Sequence, residues 1–398
     1  MKERSAEVVV AGHICLDVIP AMDEKGEGMT ALFVPGKLVN VGPALLSTGG
    51  AVSNTGLALH RLGIRTKLMS KIGDDLFGKA ILDVLGSYGD ELAGGMIVAE
   101  GEHSSYSLVI SPPGVDRIFL HSTGANDTFV ADDIRTNELQ GARLFHFGYP
   151  PLMRNMYENG GEELARLLSR AKSQGLTISL DMAKPDPESP ASRVDWRVIL
   201  ERALPHVDVF LPSFEEILFM LHPERYAELT RIHQTSDLLP YADGELLSML
   251  STELIQMGVA IVAIKLGEHG LYVRTTSDCE RIVAMGVCAP SMDQISCWTD
   301  RELLAPCFKV KVAGTTGAGD CTIAGFLAGL LKGLNLEEVL HAAVGVGACN
   351  VERSDATSGI PIWEQLRERI AAGWEQGEVM LDLPGWNYKV EIGAWAKK

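Results

Sequence analysis

No stretch of 18 consecutive apolar residues occurs in this 398-residue chain. The longest candidate, residues 323–331, is punctuated by glycine and stops at Lys332, so a membrane-spanning helix, which takes about 20 apolar residues, is not expected. Cysteine pairs are missing too. The seven cysteines, Cys15, Cys279, Cys288, Cys297, Cys307, Cys321 and Cys349, contain no C-x-x-C spacing and suggest neither a disulfide framework nor a zinc site. The loose run from Cys279 to Cys307 reads as idle thiols in a reducing compartment. Positive charge is scarce, with 35 Lys and Arg against 52 Asp and Glu, a net charge of −17. Such a surface repels nucleic acid and anionic membrane. Any phosphate-bearing ligand must then be held locally, by backbone N–H groups, a helix N-terminus or a metal. The N-terminus carries charge and then a short apolar run that reads as a first strand rather than a signal peptide, so a cytoplasmic location is expected. Repeats, low-complexity tracts and long charge runs are absent. The triplet Asn126-Asp127-Thr128 spells a glycosylation acceptor with no secretion signal to support it.

What is present is the balance of a packed globular protein, 46% apolar and 22% charged. Short β-rich runs at 8–14, 66–72, 144–148, 177–181, 207–211 and 259–265 alternate with amphipathic stretches at 53–62, 77–88, 162–174 and 319–332. That alternation predicts an α/β fold with a doubly wound, mostly parallel sheet flanked by helices. Residues 96–98, 104–110 and 117–120 break it, reading as consecutive strands without a helix between them. They predict a small β-sheet lid over the C-terminal edge of the main sheet. Lid segments are placed at about 16–45 and 96–125, and segments 222–244 and 276–306 read as insertions on a single domain spanning 1–398.

The strongest local signal is the run from Lys311 to Asp320, K-V-A-G-T-T-G-A-G-D, leading into a helix-forming segment. Gly317 and Gly319, flanking Ala318, let the backbone turn sharply and present N–H groups, and the helix dipole adds partial positive charge. This is a candidate anion hole. Asp320 at the helix start sits where the dipole favours its ionised form, fit to accept a hydroxyl proton. A plain glycine turn capped by Asp320 is the competing reading. A second glycine motif, S-T-G-G-A-V-S-N ending at Asn54, opens another helix, and Asp17 stands isolated after the first strand. The run from Gly73 to Ala80 nearly spells a phosphate-binding P-loop. Ala80 lacks the hydroxyl for Mg²⁺, however, and Asp74 and Asp75 would face phosphate with like charge.

Together these motifs resemble the ribokinase-like, or PfkB, family of carbohydrate kinases over nearly the full length. Gly49-Gly50, Asn54, L-H-R-L-G at 59–63 and K-I-G-D-D-L-F-G at 71–78 match its N-terminal signature, and T-T-G-A-G-D at 315–320 its C-terminal one. The resemblance implies a ribokinase-like fold and ATP-dependent phosphorylation of a hydroxyl of a sugar or small polyol. It casts Asp320 as base and Gly317, Ala318 and Gly319 as anion hole. It also implies Asp17, Gly49, Gly50 and Asn54 as the sugar grip, and Lys265, Gly267, Gly270 and Thr315 as ATP contacts, with the helix at 341–350 flanking adenine. Family members hold waters around Mg²⁺ with Asn-x-x-Glu. Here Ser213 replaces the asparagine and Glu216 keeps the carboxylate, while Glu215 and Glu216 as ordinary helix N-terminal acids are the competing reading. A homodimer paired through the lid is a further implication.

Departures from the family pattern are specific. Gly314 stands where relatives carry an aspartate linked to a monovalent cation, which leaves potassium dependence open. The segment after the fourth strand reads Asp181-Met-Ala-Lys184 without the usual basic group, unless Lys184 supplies it. Two other readings remain: a nucleoside kinase, needing a stacking wall for which Tyr106 and Phe119 are the candidates, and a catalytically silent binding member, against which Gly317, Gly319 and Asp320 argue. Arg117 and His121, on or beside the lid, read as solvated surface.

Overall fold

The computed structural model describes residues 5–22, 34–111 and 118–397. Its strands, in chain order, are β1 (Val8–Gly12), β2 (Cys15–Pro20), β3 (Ala44–Gly49), β4 (Thr66–Met69), β5 (Lys71–Gly73), β6 (Ile97–Ala99), β7 (Tyr106–Ile110), β8 (Ile118–Ser122), β9 (Leu144–Gly148), β10 (Thr177–Leu180), β11 (Val209–Phe210), β12 (Ile261–Lys265), β13 (Leu271–Thr275), β14 (Glu302–Ala305), β15 (Trp386–Lys389) and β16 (Ala394–Lys397). Ten of them form one sheet in the order β15-β16-β14-β13-β12-β11-β10-β9-β1-β4. The stretch from β4 to β12 is parallel, and β13, β14, β16 and β15 extend it antiparallel.

The parallel strands read as continuous apolar runs because both faces are covered. Alternation along β1 sends Val8 and Val10 into one core and Val9 and Ala11 into the other. The first core lies under helices Ala51–Arg61, Ala318–Leu331 and Leu336–Val351, and the second under Glu162–Lys172, Phe214–Leu221 and Gly244–Gln256. Helix Ala318–Leu331 is apolar all round and buried along nearly its whole length, as a helix enclosed by others must be.

Register levels the strand ends. Gly12 pairs with Gly148, Phe147 with Leu180, Leu180 with Phe210 and Phe210 with Val262. The residues that follow β1, β9, β10, β11 and β12 therefore emerge on one edge, beside the point where β1 has β4 on one side and β9 on the other. A crevice at such a switch point is where open α/β sheets bind ligands.

A four-stranded sheet, β3-β2-β7-β8, stands apart from the main one. Two expectations need correction. β6 does not join β7 and β8; it pairs in parallel with β5 as a separate two-stranded sheet. The segment 276–306 is not wholly an insertion, since β14 within it is a strand of the main sheet. Residues 23–33 and 112–117, including Arg117, lie outside the described residues.

The start of helix Cys279–Val283 is tied to the sheet by charge. Asp208, fully buried just before β11, accepts from Lys172 Nζ at 2.6 and 2.7 Å, from Arg281 Nη1 at 2.8 Å and from the Ile178 amide at 2.8 Å. Burial pushes this carboxyl up, and the two cations pull it back. Asp208→Ala leaves both cations without their partner, and since each keeps some contact with water the expected loss of stability is about 2–3 kcal/mol in urea denaturation. An unchanged midpoint would show that this cluster is neutral to the fold.

Candidate active site

Helix Ala318–Leu331 begins at Gly317, whose φ of 72° is left-handed and whose absent Cβ would lie 2.9 Å from the Ala356 Cβ. Its first turn leaves N–H groups without intrahelical acceptors. Asp320 sits in that turn, 3% exposed. Its Oδ2 accepts from Asn54 Nδ2 at 2.9 Å, and both carboxylate oxygens accept from the Tyr149 hydroxyl at 2.9 Å. The dipole was expected to favour ionisation, but burial outweighs it. The carboxyl is pushed above its ordinary value, with Asn54, Lys265 and Tyr149 opposing.

Tyr149 is absent from the sequence reading. It follows β9 directly and holds φ 64° and ψ 44°, a left-handed backbone that costs a non-glycine residue roughly 1–2 kcal/mol. The signal that could have found it is positional: the first residue past a central parallel strand, followed by two prolines.

The small sheet supplies a wall. Asp17 pairs across with Ser47 and Ser107, and Ser107 with His121, so these side chains share one face. A Cβ on Gly49 would lie 2.3 Å from Asp17 Oδ2, and one on Gly50 would lie 2.6 Å from His13 Nδ1. The glycine pair thus makes room for a carboxylate and an imidazole, and Gly50 starts the helix that carries Asn54. Cys15 Sγ lies 3.4 Å from Asp17 Oδ1, Ser107 Oγ lies 3.0 Å from His121 Nδ1, and the His13 and His121 rings are 5.1 Å apart. His121 is exposed, as expected, and its ring also reaches this wall. Tyr106 and Phe119 do not form a common stacking wall, because their register puts them on opposite faces, with Tyr106 edge-on to Phe77 at 5.2 Å. Burial pushes the Asp17 carboxyl up to about 6 against the pull of Cys15 and Ser107.

On the other side of Asp320, Lys265 ends β12 and donates from Nζ to Asp181 Oδ1 at 2.6 Å. Asp181, fully buried after β10, keeps Oδ2 without a partner among the described residues. Glu216 forms a capping box with Ser213, accepting from its amide at 2.6 Å, so the helix-acid reading holds for one oxygen while the carboxylate also feels Lys265. Burial raises Asp181 despite Lys265. Burial lowers Lys265, but Asp181 and Glu216 more than offset it, and the ammonium ends above its ordinary value. Both directions follow from one ammonium serving Asp181, Glu216 and Asp320. A Cβ on Gly319 would sit 3.8 Å from Lys265 Nζ, so this cation abuts the helix start.

The remaining candidates are placed as follows. Gly267 and Gly270 lie in the β12–β13 turn, and β14 alone accounts for glycine at 270, where a Cβ would come 2.0 Å from the Ala305 carbonyl oxygen. The Thr315 carbonyl accepts from the Ala318 amide at 3.3 Å. Gly314 packs against backbone, its absent Cβ 2.9 Å from Ser354 Cα, so a side chain there would need that loop to shift. Lys184 is exposed and donates to Tyr226 at 3.3 Å. Besides Asp181 Oδ2, the buried atoms His13 Nδ1 and Asn54 Oδ1 lack partners among the described residues. Orphaned buried polar atoms are rare and mark where ligands or water bind.

The description "pfkB family carbohydrate kinase" matches residues 5–363. The chain belongs to this family. A PfkB relative from Archaeoglobus fulgidus, an uncharacterized sugar kinase, is 28% identical over 77% of this chain and 98% of its own length. The 2-dehydro-3-deoxygluconokinase of Bacillus subtilis is 25% identical over 87% of this chain and 94% of its own. The fold matches that of a putative ribokinase II from E. coli in complex with ATP and Mg²⁺, with a TM-score of 0.65, 19% identity, and coverage of 92% of this chain and 99% of that one. The protein is thus a carbohydrate kinase of ribokinase-like fold, and no helix among the described residues is long and apolar enough to cross a membrane.

For this PfkB kinase the raised Asp17 predicts a pH dependence. As pH falls through about 6, Asp17 takes up a proton and loses its negative charge and part of its capacity to accept from hydroxyls. Acceptor affinity measured by calorimetry without nucleotide should weaken by about tenfold per unit on the acid side, and Asp17→Asn should flatten that profile. A wild-type profile level between pH 7 and pH 5 would remove Asp17 from the acceptor site.

Proposed function

We propose that the protein transfers the γ-phosphoryl group of ATP to a hydroxyl of a sugar or related small polyol, with Asp320 as the base. The observation that carries this reading is the carboxylate of Asp320, held by Asn54 and Tyr149 at a helix start. Lys265 acts on the same carboxylate by charge, and Gly49, beside Asp17, leads into the helix that carries Asn54.

The acceptor lies between the small sheet and Asp320, its hydroxyls bonded by Asp17, Asn54 and the backbone at Gly49 and Gly50. Asn54 Oδ1 and His13 Nδ1, both orphaned, give it further partners. An analogue lacking a hydroxyl leaves such groups unpaired, the basis of strong discrimination in polar sites. Asp320 orients the attacking hydroxyl. The oxygen–phosphorus bond forms as the β,γ-bridging bond breaks, ADP departs, and the hydroxyl proton passes to Asp320, whose raised proton affinity suits the task. The amides of Gly317 and Gly319, that of Ala318 once it leaves the Thr315 carbonyl, and the ammonium of Lys265 receive the phosphate charge. Lys265 exchanges Asp181 for phosphate as nucleotide enters, and the β12–β13 turn carrying Gly267 and Gly270, together with Thr315 before helix Ala318–Leu331, lines the nucleotide. Asp181 Oδ2 and Glu216 are hard oxygens that fit Mg²⁺ directly or through water. When bound, that ion would neutralise phosphate charge. The polyol reading is preferred to a nucleoside because the wall carries Asp17, Ser107 and His121, and of the two stacking candidates only Phe119 shares their face.

Asp320→Asn keeps an oxygen for Asn54 and Tyr149 but cannot take the proton, so kcat should fall by about 10²–10⁴-fold with acceptor affinity little changed. A coupled ADP-release screen over pentoses, hexoses, sugar acids and nucleosides, with this variant as control, names the acceptor. Full turnover in the variant would refute the base.

We further propose that the lid sheet pairs with a second copy of the chain. Its face away from the pocket carries Leu46, Val18, Leu108 and Leu120 in one cross-strand row, with Leu46 and Leu120 each 48% exposed. Light scattering should give a dimer for the wild type and a monomer for Leu120→Lys. A monomeric wild type at micromolar concentration would refute this pairing.

A further inference from the structure

Three side chains from three separate segments meet in the acceptor wall: His13 after β1, Cys15 on β2 and His121 on β8. One ligand-type atom from each, a ring nitrogen or the sulfur, lies within 4.8 Å of the other two. In tetrahedral zinc sites neighbouring donor atoms stand about 3.3–3.8 Å apart, given metal–nitrogen and metal–sulfur bonds of about 2.0–2.3 Å. Closing this cluster onto an ion thus takes small side-chain rotations rather than backbone movement. A second observation points to a ligand: His13 is 2% exposed, yet its Nδ1 has no hydrogen-bond partner among the described residues.

We propose that His13, Cys15 and His121 form a binding site for a soft divalent cation of the zinc class, with the fourth position open to water or to Asp17. Two imidazoles and a thiolate select such an ion over Mg²⁺, which prefers oxygen donors. Both imidazoles are held neutral, His13 by burial and by His121, and His121 chiefly by burial, which is the protonation state a metal requires. Coordination by Cys15 replaces its S–H bond with a metal–sulfur bond and releases one proton to the buffer. Cys15 Sγ is already 3.4 Å from Asp17 Oδ1, and His121 shares Ser107 with the same wall. A bound ion therefore takes the space and the groups assigned to the acceptor. The consequence is inhibition by zinc that is competitive with the acceptor and reversed by a chelator. This last step rests on the acceptor placement proposed above, whereas the site itself does not.

The test uses the full-length, metal-free protein. Titration with Co²⁺ should give a near-ultraviolet thiolate-to-cobalt charge-transfer band saturating at one ion per chain, and Zn²⁺ should abolish it. Cys15→Ser should lose the band. His121→Gln, a change on a partly exposed lid strand that the fold tolerates, should weaken Zn²⁺ binding by about tenfold or more. Removing the exposed thiols in a Cys279→Ser/Cys297→Ser variant should leave the band intact. The proposal is overturned if wild type gives no such band, if the band follows Cys279 and Cys297, or if His121→Gln binds Zn²⁺ as wild type does. Should the ion bind as described yet compete with ATP and not with the acceptor, the site stands and the acceptor placement fails instead.

Discussion

One half-buried ammonium, that of Lys265, faces two buried carboxylates, those of Asp181 and Asp320, and the half-buried one of Glu216. Burying charge is tolerable only when it is paired, and here pairing is incomplete by design of the chain: one cation cannot neutralise three acids. Burial pushes the three carboxyls upward, and their combined pull keeps the lysine charged. The imbalance also defines what the cluster lacks, which is further positive charge arriving with a ligand. A nucleotide brings more negative charge, and in the proposed reading a divalent cation arriving with it would supply the balance.

The sheet topology makes this concentration of charge possible. Level strand ends place His13, Tyr149, Asp181, Ser213 and Lys265 on one edge even though they are spread over 250 positions of sequence. The helix carrying Asp320 and the one carrying Asn54 then meet above that edge, joined by the 2.9 Å bond between the two side chains. The catalytic proposal and the acceptor proposal therefore share a single physical junction, and neither can move without the other.

What could be read from sequence was local, and what could not was long-range. Strands at 144–148 and 177–181 and the helices beginning near 53, 162 and 319 follow from apolar period and flanking turns, which a few neighbouring residues decide. The glycine turn before Asp320 is similarly self-contained. Tyr149, by contrast, earns its place through a contact 171 residues away, and Asp181 through one 84 residues away. Their neighbourhoods mark each only as a residue just past a parallel strand, and its partner is not legible there. β6 was grouped with the wrong partners because pairing is a choice between distant strands. β14 was hidden among turn residues that made its surroundings look irregular. That the exposed His121 also reaches the wall was not legible, because a hairpin's two faces are indistinguishable until register decides which one meets Asp17. The same blindness hid the cluster of His13, Cys15 and His121, whose spacing in sequence resembles no metal motif.

The left-handed backbone at Tyr149 sets two selective pressures against each other. Glycine or asparagine would relax this turn at once, since either adopts positive φ at little cost, yet neither carries a phenol to hold both oxygens of Asp320. A laboratory lineage chosen only for heat resistance would be drawn to shed the tyrosine, while one chosen for turnover would keep it and seek resilience elsewhere. The strain at this one residue is a place where hardiness and catalysis diverge.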